Sequence, residues 1–135
     1  MSSTSRRKFL GTAAALCAGG TAMANTSHGE KPKLPLSHHV FFWLKNPDSI
    51  EDRDKLIEGL RTLKKIETVK VLHIGVVAST EKRDVVENSW QVSELMFFKN
   101  LEDQAVYQSH PIHLEFIKNY GHLWDKVIVY DTMEV

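Results

Sequence analysis

Between Tyr107 and His113 the run Tyr-Gln-Ser-His-Pro-Ile-His gathers a phenol, two imidazoles and a proline into seven residues. No other segment holds as many groups able to move a proton near neutral pH. Proline has no backbone N–H and pushes its predecessor out of the helical region, so a break is predicted at His110. Pro111 then opens a new helix, with His110 or Ser109 as its cap. That helix carries His113 in its first turn and Ile112, Phe116, Ile117 and Tyr120 on a buried stripe, and stops near Gly121. The chemistry such groups support is general acid–base catalysis. His113 would be neutral, held through one ring nitrogen and free at the other, while Tyr107 donates to a carbonyl or developing enolate oxygen. His39, on the first strand, is the third candidate catalytic residue. The structural alternative is a capping histidine and a half-buried one that only packs. A metal set of His110, His113, His39 and Glu94 is disfavoured because Pro111 breaks the His-x-x-His spacing and no third ligand lies close in sequence. No haem or flavin motif is present, so neither metal nor cofactor is predicted.

These groups need a scaffold, and the patterning supplies one. Ser37 to Lys45 reads as a strand with His39, Phe41 and Trp43 on one face and Val40, Phe42 and Leu44 on the other. Asp48 or Ser49 caps a helix running to about Glu67, with Leu56, Leu60 and Leu63 at helical spacing. Gly59 inside it implies close packing against the sheet. Val69 to Val77 and Gln91 to Lys99 are two further strands. The polar stretch Ala78 to Ser89 between them is long enough to be a flap over a pocket. Leu101 to Gln108 and Pro111 to Tyr120 form the broken second helix, and Lys126 to Met133 the last strand. The order strand, helix, strand, strand, helix, strand is the split βαβ pattern of an α+β ferredoxin-like fold, with helices on one face of an antiparallel sheet. The uncovered sheet face, with Phe41 and Trp43, is too apolar for a solvated surface. A twofold homodimer enclosing a small barrel is therefore expected, with His39 facing into it. Phe41, Trp43, His110, His73 and Trp124 are the candidate ligand-binding side chains. His73 and His122 also have a plain structural reading.

The 135 residues are 42% hydrophobic and 25% charged, with formal net charge zero, which gives no reason to expect nucleic acid or an anionic membrane as partner. The N-terminus stands apart. Arg6-Arg7-Lys8 precedes an apolar run, Leu10 to Ala24, that is interrupted by glycines and too short for a stable transmembrane helix. It has the form of a twin-arginine export signal, with Ala22-Met23-Ala24 as the cleavage site. Residues 1–24 are thus read as a signal peptide, 25–36 as a flexible tether and 37–135 as the folded domain, located in the periplasm. Leu16 before Cys17 is the wrong size for a lipobox. Cleavage would remove three basic residues and the only cysteine, leaving a net charge of 14 − 17 = −3 and no thiol for disulfide or nucleophile.

His39-Val40-Phe41-Phe42-Trp43-Leu44, Gly59-Leu60, Val71 to Gly75 and above all Tyr107-x-x-His110-Pro111-x-His113 resemble the Dabb family, the stress-responsive A/B barrel domain, over about residues 37 to 133. The resemblance implies a dimeric α+β barrel. In olivetolic acid cyclase, a plant polyketide cyclase of this family, a Tyr and the last His of the motif act on a linear polyketide. By resemblance these are Tyr107 and His113, with His39 as the strand-one pocket histidine and Trp124 as an aromatic counterpart. Two functions follow as expectations. The first is an exported protein that binds a small apolar molecule in the barrel pocket. The alternative is a cofactor-independent cyclase, isomerase or lyase using His113 and Tyr107 on a carbonyl compound. The export reading has its own check: intact mass of the periplasmic protein should correspond to a chain starting at Asn25, and Arg6→Lys with Arg7→Lys should leave the uncleaved precursor in the cytoplasm.

Overall fold

The computed structural model describes residues 33–135; the signal peptide and most of the tether expected at the N-terminus lie outside the described residues. The elements follow the order β1 (Leu36–Leu44), α1 (Ile50–Thr62), β2 (Val71–Gly75), β3 (Val92–Phe98), α2 (Leu101–Ser109), α3 (Pro111–Tyr120) and β4 (Trp124–Met133), with short 3-10 turns after α1 and α3. The four strands make one antiparallel sheet in the order β2-β3-β1-β4. This is the ferredoxin-like α+β fold expected from the patterning. β1 begins one residue earlier than the patterning placed it, and β2 is shorter at both ends.

Strand alternation decides which side of the sheet carries the core. Along β1, Leu36, His38, Val40, Phe42 and Leu44 are buried while the residues between them are half-exposed. Their partners on β3, Val92, Glu94, Met96 and Phe98, are buried with them. Leu56, Leu60, Leu63, Tyr107, Phe116 and Leu123 cover this layer from the helical side. The opposite face presents His39, Phe41, Trp43, His73, Leu95, Phe97 and Tyr130, and no helix of the described residues lies on it.

Capping fixes where the helices start. Ser49 Oγ accepts from the Asp52 N–H at 3.1 Å, and the Asn100 side chain accepts from the Asp103 N–H at 2.8 Å. The connection between β2 and β3 was expected to be a flap over the pocket. Instead it folds back on the end of β1. There Ser89 accepts a hydrogen bond from the Trp43 indole, Trp90 packs edge-on against Phe41, and Gln91 bonds to the β1 backbone.

Gly59 corrects another expectation. It is buried, but the neighbour it admits is the ring of Tyr120 on α3 rather than the sheet. A Cβ built there would lie 2.6 Å from Tyr120 Cδ2 and 2.7 Å from Cγ. Those ring atoms sit next to the α3 backbone and cannot swing away. Alanine gains about 1 kcal/mol of helix propensity over glycine, whereas overpacking costs about 1–3 kcal/mol, so the clash should win. Gly59→Ala is expected to lower stability by about 1 kcal/mol in urea unfolding. In a Tyr120→Ala background the same change should become stabilising.

Candidate active site

The helix break at His110 builds the site. In an unbroken helix the carbonyl of Tyr107 would accept from residue 111 and that of Gln108 from residue 112. Pro111 has no N–H to offer, and the Tyr107 carbonyl takes the His110 N–H instead at 3.1 Å. His110 adopts extended backbone, φ −63° and ψ 137°, and its Nδ1 accepts from the Ile112 N–H at 3.1 Å. The Gln108 carbonyl is thereby left without a helical donor. It is met by His113, whose Nδ1 lies 2.9 Å from it. A carbonyl can only accept, so the proton sits on Nδ1 and Nε2 is the free acceptor of the neutral ring. Burial lowers the His113 pKa, opposed by the bond to Gln108 and reinforced by nearby His38. The ring is therefore neutral at pH 7.

Around it lies a cavity of about 340 Å³ between the sheet and α2–α3. Val40, Phe42, Phe116 and Trp124 form its apolar wall, and Ile117, Val127 and Val129, each more than 40% exposed, mark its mouth. Tyr107 packs with its ring centroid 4.5 Å from that of His113 and 5.6 Å from that of His38. Its hydroxyl donates to Glu94 Oε1 at 3.2 Å. Glu94 is fully buried on β3, and desolvation raises its pKa to about 8 against the hydrogen bond from Tyr107. Burial, then the neighbouring Glu94, push the Tyr107 phenol far above its usual range, so no phenolate forms at accessible pH. On the β1–β4 side, His38 Nδ1 stands 2.5 Å from a carboxylate oxygen of half-exposed Asp131. The cavity thus joins four proton-carrying groups, Tyr107, Glu94, His38 and His113, to an otherwise apolar wall. A roomier surface cleft of about 540 Å³, lined by Lys33, Leu34, Pro35, Lys70, Val71 and Lys99, holds no histidine, carboxylate or phenol.

Residues 36–134 match the Stress responsive A/B Barrel Domain. The chain belongs to the Dabb family. A curated relative, the stress-response A/B barrel domain-containing protein At5g22580 of Arabidopsis thaliana, is 29% identical over 79 residues, 58% of this chain and 69% of its own length. Among solved structures, At3g17210 from Arabidopsis thaliana is 27% identical with a TM-score of 0.62, covering 75% of this chain and 96% of its own. Two others share the fold alone. A Bacteroides fragilis protein described as dimeric and ferredoxin-like has 19% identity, a TM-score of 0.57, and coverage of 75% and 97%. A hydroxynitrile lyase from Passiflora edulis has 21% identity, a TM-score of 0.60, and coverage of 77% and 95%.

Within this Dabb chain the predicted site residues divide between the two faces of the sheet. Tyr107, His113 and Trp124 line the cavity together. His39 does not share it: successive strand side chains point to opposite faces, and the cavity takes His38. His39 stacks on Phe41 across the open face, its pKa lowered by burial, then by His73 and His38. Phe41, His73 and Trp43 lie on that face as well, the Trp43 ring beneath the Lys126 ammonium at 4.4 Å. His110 is the α3 cap and stays outside the cavity. Sequence reasoning missed His38 and Asp131, and weighed Glu94 only as a metal ligand. The signal for Glu94 was available, since it sits in phase with Val92 and Met96 on an otherwise apolar strand face. Among the described residues no group of three or more His, Cys, Asp or Glu is arranged to hold a metal ion.

Glu94 makes stability depend on pH. Its folded pKa, about 8, lies above its ordinary 4.5, so the unfolded chain gives up this proton first as pH rises. The carboxylic acid form is favourable below pH 4.5, and its contribution is lost progressively up to pH 8. Glu94→Gln keeps the shape and cannot ionise. Urea unfolding should find the variant more stable than the parent by about 4 kcal/mol at pH 8, with the difference closing near pH 4.

Proposed function

We propose that this protein binds a small, largely apolar carbonyl compound in the cavity between sheet and helices and moves protons on it without a cofactor. The observation that carries this reading is the fixed tautomer of His113, a neutral imidazole with Nε2 free in a cavity that also holds Tyr107. A base of that kind takes a proton from the carbon beside a carbonyl, and Tyr107 would meet the charge developing on oxygen. The apolar wall would hold the hydrocarbon part and exclude water. The reaction class is enolisation, which serves an isomerase, a lyase or a cyclase alike. Simple sequestration of an apolar ligand is the outcome if the protein binds and does not turn over.

The protein acts, in this reading, as an exported homodimer joined through the open sheet face. Support comes from the aromatic and aliphatic side chains of that face and from the dimeric state described for the Bacteroides fragilis fold neighbour. No helix among the described residues is long and apolar enough to cross a membrane.

Two measurements check these statements. Incorporation of solvent deuterium next to the carbonyl of 2-tetralone, 2-indanone or phenylacetone, followed by proton NMR, should be faster with protein than in buffer. His113→Asn should lower that rate about 10²-fold or more while leaving unfolding unchanged. Binding without exchange would reduce the protein to a carrier. Light scattering after size exclusion should give a dimer mass for the parent and a monomer mass for Phe41→Glu; a monomeric parent at micromolar concentration would refute the assembly.

A further inference from the structure

A phenol has one proton to donate. In Tyr107 it goes to Glu94, not into the cavity. While Glu94 is a carboxylate, Tyr107 can offer a bound molecule only its lone pairs. When Glu94 is a carboxylic acid, its own O–H can point at the phenolic oxygen, and the Tyr107 proton is released toward the cavity. The protonation of Glu94 therefore decides whether Tyr107 is a donor at all.

The surroundings favour the acid form. Glu94 is 1% exposed in the middle of β3. Val40 lies opposite it on β1 and Ile74 on β2, and the buried residues of α1 are Leu56, Gly59 and Leu60. No cation among these neutralises it. The titratable groups that share its cavity are Tyr107 from α2, His113 from α3, His38 from β1 and Asp131 from β4, which is turned to His38.

We propose that Glu94 is the proton reserve behind Tyr107, passing its proton to the phenolic oxygen as Tyr107 protonates an oxygen of the bound molecule. The pocket would then be built for compounds that pass through an oxygen-centred anion of the enolate class. The proposal rests on the proton-transfer reading above. In the step, His113 Nε2 takes a proton from the carbon beside the carbonyl. The C–H pair becomes the new C=C bond and the carbonyl π pair moves to oxygen. That oxygen bonds the Tyr107 proton, and the Tyr107 oxygen bonds the Glu94 proton. A ketone, a neutral imidazole and a carboxylic acid become an enol, an imidazolium and a carboxylate, with net charge unchanged. Because the phenolate is inaccessible here, Tyr107 can give its proton only if it receives another at once. Glu94 is thus a positioning residue acting through Tyr107.

The test uses the ketone exchange assay and an infrared readout that needs no turnover. A protonated-carboxyl C=O stretch should be present in the parent at neutral pH and missing in Glu94→Gln. The parent's exchange rate should fall as pH rises through about 8. Glu94→Gln should lower the rate about 10²-fold and abolish that limb of the profile. Tyr107→Phe should cost a similar factor, and the double variant no more than either single change, because the two act as one unit. Three results overturn the proposal alone: an absent carboxyl band, a basic limb that survives in Glu94→Gln, or single-variant losses that multiply. A parent that shows the band yet exchanges none of the three ketones overturns the proton-transfer reading, and this proposal with it.

Discussion

The site depends on a missing hydrogen bond. Pro111 cannot donate to the carbonyl of Tyr107, and His110 satisfies the Ile112 N–H with its own side chain. Together they leave the Gln108 carbonyl without a partner from the helix backbone. A carbonyl at the cavity rim freed from the helix needs a donor, and the His113 ring supplies one from Nδ1. One irregularity in the backbone thus caps a helix, turns α3 relative to α2 and fixes which nitrogen of His113 is basic. A continuous helix would have satisfied Gln108 internally and left the imidazole free to take either tautomer.

Around that break the protein accepts polar groups in a small core. Glu94, Tyr107, His38 and His113 occupy positions that apolar side chains could fill more stably. Each finds a hydrogen-bond partner, but the pairings differ in kind. His38 reaches a half-exposed carboxylate near the cavity mouth, whereas Glu94 meets only a phenol. The first pair reaches the surface through Asp131, whereas the second lies at the buried end of the cavity. Such a division gives one cavity two polar walls of different solvation.

Much of the fold was legible in the sequence because patterning and punctuation agreed. Asn46-Pro47-Asp48, Ser49 and His110-Pro111 mark turns and caps, and Leu56, Leu60 and Leu63 mark a helix face. The phase of β1 was legible: His39, Phe41 and Trp43 lie on the open face as the patterning placed them. What was not legible is that the cavity opens on the other side of the strand, where it takes His38. The register against β3, which pairs Val40 with Glu94 and Phe42 with Val92, brings that side together. Tyr107, His113 and Trp124 could be placed because they lie on or beside the helix whose break the sequence announces. Asp131 lies 93 residues from His38, and no local pattern links them.

The adjacency of His38 and His39 has a consequence for communication. They are neighbours in the chain, yet one lines the cavity and the other the open face. The sheet is a partition one backbone thick. Charge crosses it: after the larger effects of burial and His73, His38 also lowers the proton affinity of His39. A charge on the cavity side is thus felt on the open face, and couplings of this kind act in both directions. A molecule that covers the open face therefore acts on the cavity through a wall one strand thick.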